Sequence, residues 1–380
     1  MHFEFCTDIT RIAAQDWNRL SGTDHPFTRH EFLAALERND CATARYGWHP
    51  QHILGYDAHG ALRAAVPAYC KDNSYGELVF DWSWADAYKR AGLTYYPKLV
   101  VAVPYTPATG ARLLLDTPEQ KPQVIDELLP WLKQQLEPRQ ISGLHWLFPD
   151  EDELRLLQPH LRPRIDCQYH WHNRGYQGFE DFLLTLSSAK RKNIRRERRK
   201  VTEQGIDIER HSGTEMDEGL WDIVHRCYLA TFEKKWGMAT LSRAFFAELG
   251  QTMGEQLLVI LARRAGRYIA AAICFRSDDC LYGRHWGSLE PVDCLHFELC
   301  YYQGIEYCIE HGLARFEPGA QGEYKISRGF EPTQTNSAHW LRDARFQQAI
   351  EFYLREEAVH VRGAMAQLRE HVPFRKDLPV

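Results

Sequence analysis

"GYDAHGALRAAVPAYC" (Gly55–Cys70) and "LARRAGRYIAAAICF" (Leu261–Phe275) are one pattern written twice. Each is an apolar run, a tight turn carrying glycine, and a second apolar run, the signature of a β-hairpin. Setting Gly60 on Gly266 places Ala64 and Ala65 on Ala270 and Ala271, so both second strands carry a pair of small residues. The parallel continues downstream. A helical period from about Gln123 to Leu136 leads to "ISGLHWLF", and another from about His296 to His311 leads to "LARFEPG". Hairpin, further strands, helix and strand, repeated, predict an α/β protein of two tandem domains with mixed twisted sheets. A chain of 380 residues is long for one hydrophobic core, which agrees. The boundary is expected between "LRPRIDCQYHWHNRGY" and the second hairpin, giving domains 1–165 and 166–380. A helical region from about Asp343 to His371 closes the second domain.

That second domain is expected to open with "LSSAKRKNIRRERRKV" (Leu186–Val201). Lys190, Arg191, Lys192, Arg195, Arg196, Arg198, Arg199 and Lys200 face a single acid, Glu197, in a chain of formal net charge -5. As a helix, the segment puts Leu183, Ile194 and Val201 on one narrow stripe and spreads the basic side chains over the remaining circumference. Two readings stand. The helix is a solvated face balanced by acids elsewhere, or it grips phosphates, with Lys190, Arg191, Lys192, Arg195, Arg196 and Arg199 as the contacts. A stripe this narrow lacks the broad apolar face of a membrane-interface helix, leaving only a peripheral electrostatic membrane contact.

Hydrophobic content of 44% and charged content of 26% are those of a soluble globular protein. No apolar run is long enough to span a bilayer, and "MHFEFCTDITRIAAQDW" has no secretory pattern, so a cytoplasmic location is expected. Ten scattered cysteines fit a reducing compartment. His170 and His172 of "YHWH", and Cys294, His296 and Cys300 of "CLHFELC", do not supply four converging ligands, so no metal site is expected.

Several longer strings resemble a known family. "SYGELVFDWSWADAYKRAGLTYYPKLVVAVPYTPATGARLL", the basic segment, "LYGRHWGSLEPVDCLHFELCYYQGIEYCIEHGLARFEPGAQGEYKISRGFEP" and the closing "PFR" are similar to the FemAB-like N-acyltransferases. The resemblance covers nearly the whole chain and implies two GNAT-like domains. It also implies transfer of an acyl group to an amine: an aminoacyl group from aminoacyl-tRNA to a peptidoglycan precursor or another amine-bearing metabolite. The alternatives are an acyl-CoA or acyl-carrier-protein donor, with the basic helix docking an acidic carrier, and a non-catalytic nucleic-acid-binding module. No tightly bound cofactor is expected. A GNAT enzyme ordinarily cradles pyrophosphate on a Gly-rich turn, but "RHWGSLEPVDCLHFELC" offers one Gly, two acids and a Pro before its helix, which weakens the CoA alternative.

Direct attack by an amine needs a proton route, a stabilised oxyanion and alignment, but no nucleophilic Ser or Cys. The resemblance implies a role for the Tyr324-Lys325 pair, with Lys325 holding the developing negative charge. Glu317 stands at the end of the preceding strand. In "LYGRHWG", alternation puts Tyr282, Arg284 and Trp286 on one face and His285 on the other. Arg284 either binds an anionic group of the acceptor or pairs with Glu317. His285, His296 and Glu298 are the candidate proton acceptors. In the first half, Asp81 and Trp84 of the aromatic segment "FDWSWADAYKRAG" are read as a pocket wall, the alternative being that Trp82 and Trp84 are core anchors. Tyr105 and Arg112 of "PYTPATGAR" are read as ligand contacts on a turn.

Overall fold

The computed structural model describes residues 1–235 and 237–375. The chain divides into two compact units: Met1–Asp166 with Gln334–Gly363, and Cys167–Thr333 with the chain from Ala364 onward. The second half is therefore not one continuous domain over 166–380. The chain returns to the first unit with the end of the strand Glu331–Leu341 and most of the helix Ala344–Glu370.

In the first unit His2–Cys6, His52–Tyr56, Leu62–Val66 and Leu114–Leu115 form one antiparallel ladder. Pro67 separates Leu62–Val66 from Ala68–Lys71, and a proline has no N–H to donate, so the strand changes partners there. Beyond it, Trp48–Pro50, Ala68–Lys71, Lys98–Val101 and Gly143–Leu147 make a second ladder, completed by Ser337 to Leu341. Lys98–Val101 and Gly143–Leu147 run parallel, which requires a crossover; the helix Lys121–Leu136 supplies it. That helix buries Val124, Ile125, Leu128, Leu129, Leu132 and Leu136 against the sheet residues Leu99, Val101, Leu144 and Trp146.

The second unit repeats the plan without the break. Ile206–Ser212, Leu257–Arg264, Arg267–Arg276 and Cys280–Ser288 are consecutive antiparallel strands. Cys280–Ser288 then pairs in parallel with Arg315–Glu317. The crossover is helical: Leu295–Phe297, a π-type turn at Glu298–Tyr302, then Gln303–Glu310. The two hairpins align as the sequence suggests. Gly60 and Gly266 both have φ of 77°, and Leu54↔Ala65 and Gly55↔Ala64 match Leu261↔Ala271 and Ala262↔Ala270.

Candidate active site

The site of the second unit arises where its parallel pairing ends. Cys280–Ser288 and Arg315–Glu317 share only Cys280↔Arg315, Leu281↔Phe316 and Tyr282↔Glu317. Past Tyr282, Gly283 faces Cys274 but His285 faces Ile273, so Arg284 is an extra residue, a β-bulge. The bulge overturns the expected alternation. Arg284, His285 and Trp286 all line one cavity of about 250 Å³, while Tyr282 is buried outside that lining.

The π-type turn supplies another wall. An extra residue in the turn brings both Cys300 and Tyr301 to the cavity, together with His296 one turn earlier. The His296 ring lies 5.3 Å from Trp286, 5.4 Å from Tyr301 and 6.2 Å from Tyr324, forming an aromatic lip. The third wall is the segment after Glu317. Gly319, at φ of 94°, turns the chain so that its carbonyl accepts a 2.6 Å hydrogen bond from Lys325 Nζ. A side chain at that φ would be strained, so glycine is what lets the carbonyl meet the lysine. Tyr324 OH accepts a 3.3 Å hydrogen bond from Tyr301 OH.

No Asp or Glu lines this cavity among the described residues. Lys325 is buried, makes no ion pair among the described residues, and burial lowers its pKa from 10.5 to about 8. Burial likewise lowers Arg284 to about 10, against the pull of Glu317. Glu317 is buried and accepts a 3.0 Å hydrogen bond from Arg315 Nε. Burial, with Arg284 adding to it, holds His285 near 3, so its ring is neutral at pH 7. A cavity carrying two cations and neutral imidazole suits an electron-rich group, such as a carbonyl oxygen gaining charge.

The basic helix runs Ser188–Glu203. Leu183 belongs to the separate helix Phe179–Thr185, so the buried stripe is Ile194, Glu197 and Val201. Glu197, the one acid of the block, points inward. It accepts two hydrogen bonds from Arg328 Nη2, at 2.9 and 3.1 Å, and one from Tyr302 OH. Arg328 also donates to Tyr302 OH at 3.1 Å and lies 3.4 Å from the centre of the Phe297 ring. The basic helix is thereby fastened to the turn Glu323–Arg328 that carries Lys325.

Much of the outer charge is partly balanced. Arg195 meets Glu180, Arg199 meets Glu203, Lys200 meets Asp293, and Arg198 meets Glu306 and Glu298. Glu298 is accordingly a buried partner of Arg198 and Gln303 rather than a member of the cavity wall. Arg191 donates to the carbonyls of Leu184 and Leu186, and Arg196 to Asn193. Lys190, Lys192 and Arg196 have no acidic partner among the described residues.

The first-unit candidates are interior. Asp81 is buried on Lys98 and accepts a 2.6 Å hydrogen bond from Tyr95 OH. Trp84 is buried with its ring 5.0 Å from that of His339. Tyr105 donates to the Cys41 carbonyl at 2.8 Å and packs on Trp48. Arg112 is fully buried and donates to the carbonyls of Ala108 and Gly110 at 2.7 and 3.0 Å, bracing its own loop. Among the described residues no group of three or more His, Cys, Asp or Glu converges on a metal position; His170 lies against Gln168 at 3.3 Å.

Sequence reasoning missed Cys300, Tyr301, Cys274 and Gln321 as wall residues and Arg328 as the anchor of the lysine turn. Arg328 carried a signal: it is the second cation of "YKISRGF", one turn from Lys325.

Solved structures share this fold across almost the entire chain. L-PGS from Bacillus licheniformis superposes with a TM-score of 0.54 at 10% identity, covering 98% of this chain and 99% of its own. FemX superposes with a TM-score of 0.54 at 10% identity, covering 92% and 100%. A search of curated protein sequences finds no match. The family model described as peptidoglycan biosynthesis/recognition matches residues 8–376. With the tandem fold, the splayed strands and the lysine turn in place over that span, the chain belongs to the FemAB-like family.

Proposed function

We propose that this FemAB-like acyltransferase moves an aminoacyl group from aminoacyl-tRNA to an amine of a peptidoglycan precursor or a related amine-bearing metabolite. The observation that carries the reading is the cavity of the second unit, whose charged lining is cationic and which holds Lys325 and Arg284 together. The acceptor amine attacks the ester carbonyl, a C–N bond forms, and the carbonyl oxygen takes up negative charge beside Lys325. The C–O bond to the tRNA ribose then breaks. The ribose oxygen gains a proton as the new amide nitrogen loses one. His296 at the aromatic lip is the group at hand to relay it, since His285, held near 3, resists taking a proton. The reaction requires no bound cofactor, and its donor is a cytoplasmic molecule.

The tRNA donor is supported by the outward face of the basic helix. Lys190, Lys192 and Arg196 retain their charge without acidic partners among the described residues, and exposed ion pairs such as Arg195–Glu180 are weak enough to yield to phosphate. Glu197 and Arg328 join that helix to the Lys325 turn, so donor docking and the reacting carbonyl are mechanically connected.

The test measures binding of aminoacyl-tRNA and deacylated tRNA across a salt series, together with transfer of a labelled amino acid to a peptidoglycan-precursor mixture. Salt-steep binding and transfer that disappears in Lys325→Met are expected. No tRNA binding at low salt, with acylation from a CoA thioester or an acyl carrier protein instead, overturns the donor assignment.

A further inference from the structure

One cleft of the first unit carries more positive charge than it balances. The helix Ala344–Glu370 lines it with Glu351, Leu354, Arg355, Ala358 and Arg362, which fall on one helix face. The strand Arg162–His172 lines it with Arg162 and Pro163, and Gln158 stands at its edge. All of these residues belong to the first unit. The cleft measures about 500 Å³, within the range of roughly 300–1,000 Å³ that small-molecule sites occupy.

Three arginines share one carboxylate there. Glu351 meets Arg162 Nε at 2.9 Å with one oxygen and Arg355 Nη2 at 2.6 Å with the other. Arg362 has no acidic partner among the described residues, and the positions one turn to either side, Ala358, Val359, Met365 and Ala366, carry no charge. Lys133 adds to the excess. Burial and then repulsion from Arg162 lower its pKa, and its ammonium donates to the His160 carbonyl at 2.9 Å. Guanidinium groups stay protonated, so two positive charges on the lining are unmatched.

The two surfaces of the cleft select the ligand. Leu354 is buried and Arg355 and Arg362 are exposed, which puts an apolar floor beneath a cationic rim. A phosphate monoester carries about -1.5 to -2 charges at pH 7 and three acceptor oxygens, which Arg forks grip bidentately. Its charge therefore matches the unmatched pair, whereas a single carboxylate would answer only one of the two. The exposed Arg355–Glu351 pair is weak enough to turn toward such a ligand. A nucleic-acid backbone or an anionic bilayer needs an extended row of cations, and here the exposed Glu356 adjoins Arg355.

We infer that the cleft formed by Arg162, Arg355 and Arg362 over Pro163, Leu354 and Ala358 binds a small organic phosphate monoester, its phosphate on the arginines and its carbon skeleton on the apolar floor. The site belongs to the unit that does not carry Lys325, and it stands apart from the proposed transfer.

The probe is phenyl phosphate, titrated by calorimetry at pH 7 beside phenyl sulfate, which has the same shape and a single charge, and inorganic phosphate, which has no carbon skeleton. Phenyl phosphate should bind wild type, Lys325→Met and Lys190→Glu/Lys192→Glu/Arg196→Glu alike, separating this site from the cavity and from the basic helix. Arg355→Gln/Arg362→Gln should bind it at least about tenfold more weakly with an unchanged melting temperature, because both residues are exposed. Phenyl sulfate and inorganic phosphate should each bind wild type at least about tenfold more weakly than phenyl phosphate does. Absence of phenyl phosphate binding, equal binding by the double variant, or no preference over either comparison ligand overturns the site. Binding of phosphatidate vesicles or of tRNA that falls in the double variant, with no binding of phenyl phosphate, overturns it as well.

Discussion

Replacing Lys325 by methionine should make the protein more stable while abolishing transfer. Burial lowers the Lys325 pKa from 10.5 to about 8, so keeping the charge at pH 7 costs the folded state about 3 kcal/mol. Methionine has a similar volume and carries no charge to desolvate. The substitution also removes the hydrogen bond to the Gly319 carbonyl, and a charge-assisted bond of that kind is worth about 1.5–3 kcal/mol. The net gain expected at pH 7 is about 1 kcal/mol, raising the melting temperature by roughly 2–4 °C for a unit of this size. The sign reverses with pH in a defined way. Because the folded pKa lies below the unfolded one, the unfolded chain binds more protons between about pH 8 and 10.5, and wild-type stability rises through that window. The advantage of Lys325→Met must therefore shrink as pH climbs from 8 toward 10. Urea denaturation at several pH values, with transfer assayed on the same samples, measures both effects. A Lys325→Met protein that is less stable than wild type by several kcal/mol at pH 7, or whose stability difference ignores pH, would refute the view that Lys325 is an uncompensated buried cation.

Transfer in the wild type should fall above about pH 8 as Lys325 loses its proton, approaching a tenfold loss per pH unit in a pH–rate profile; a flat profile through pH 9 would remove Lys325 as the oxyanion partner. Glu197→Ala leaves Arg328 buried without its carboxylate and should cost about 3 kcal/mol or more, with part recovered in Glu197→Ala/Arg328→Met; thermal unfolding of both variants checks this. Lys190→Glu/Lys192→Glu/Arg196→Glu should leave the melting temperature within a degree or so of wild type, since each is a surface residue without an acidic partner among the described residues. Its tRNA affinity should drop and its salt dependence flatten, read from filter binding over a salt series.

The architecture was legible because it is written in local chemistry. Gly60 and Gly266 mark hairpin tips that only a positive φ closes, and the helical periods between paired strands demand crossovers. The site was legible only in part, and each failure has a physical cause. Alternation assigned Arg284 and Trp286 to one face and His285 to the other, but a bulge leaves no trace in a period-two pattern. Cys300 and Tyr301 were missed as wall residues because a π-type turn is indistinguishable in sequence from an α-helix. Glu197 looked like a lone acid diluting a basic block, yet it is the residue the helix buries. Arg112 and Asp81 looked available for a ligand because polarity says nothing about direction; one serves loop carbonyls and the other a buried lysine.

Two of the buried lysines, Lys98 and Lys325, show how one fold uses the same residue in opposite ways. Lys98 is enclosed completely, but Glu77 and Asp81 contact its nitrogen, and their attraction outweighs burial so that its pKa rises. That lysine is fixed as a cation and can only hold a structure together. Lys325 is buried nearly as deeply and has a carbonyl where Lys98 has carboxylates, so burial prevails and its pKa falls to about 8. A cation without a counter-charge is destabilising in the resting protein and becomes favourable only when negative charge forms beside it. An oxyanion in the 250 Å³ cavity is such a charge, and it exists only near the transition state. In the proposed reaction the two lysines therefore divide the work: Lys98 with its carboxylates is part of the first unit's frame, and Lys325, unmatched beside the cavity, meets the oxyanion.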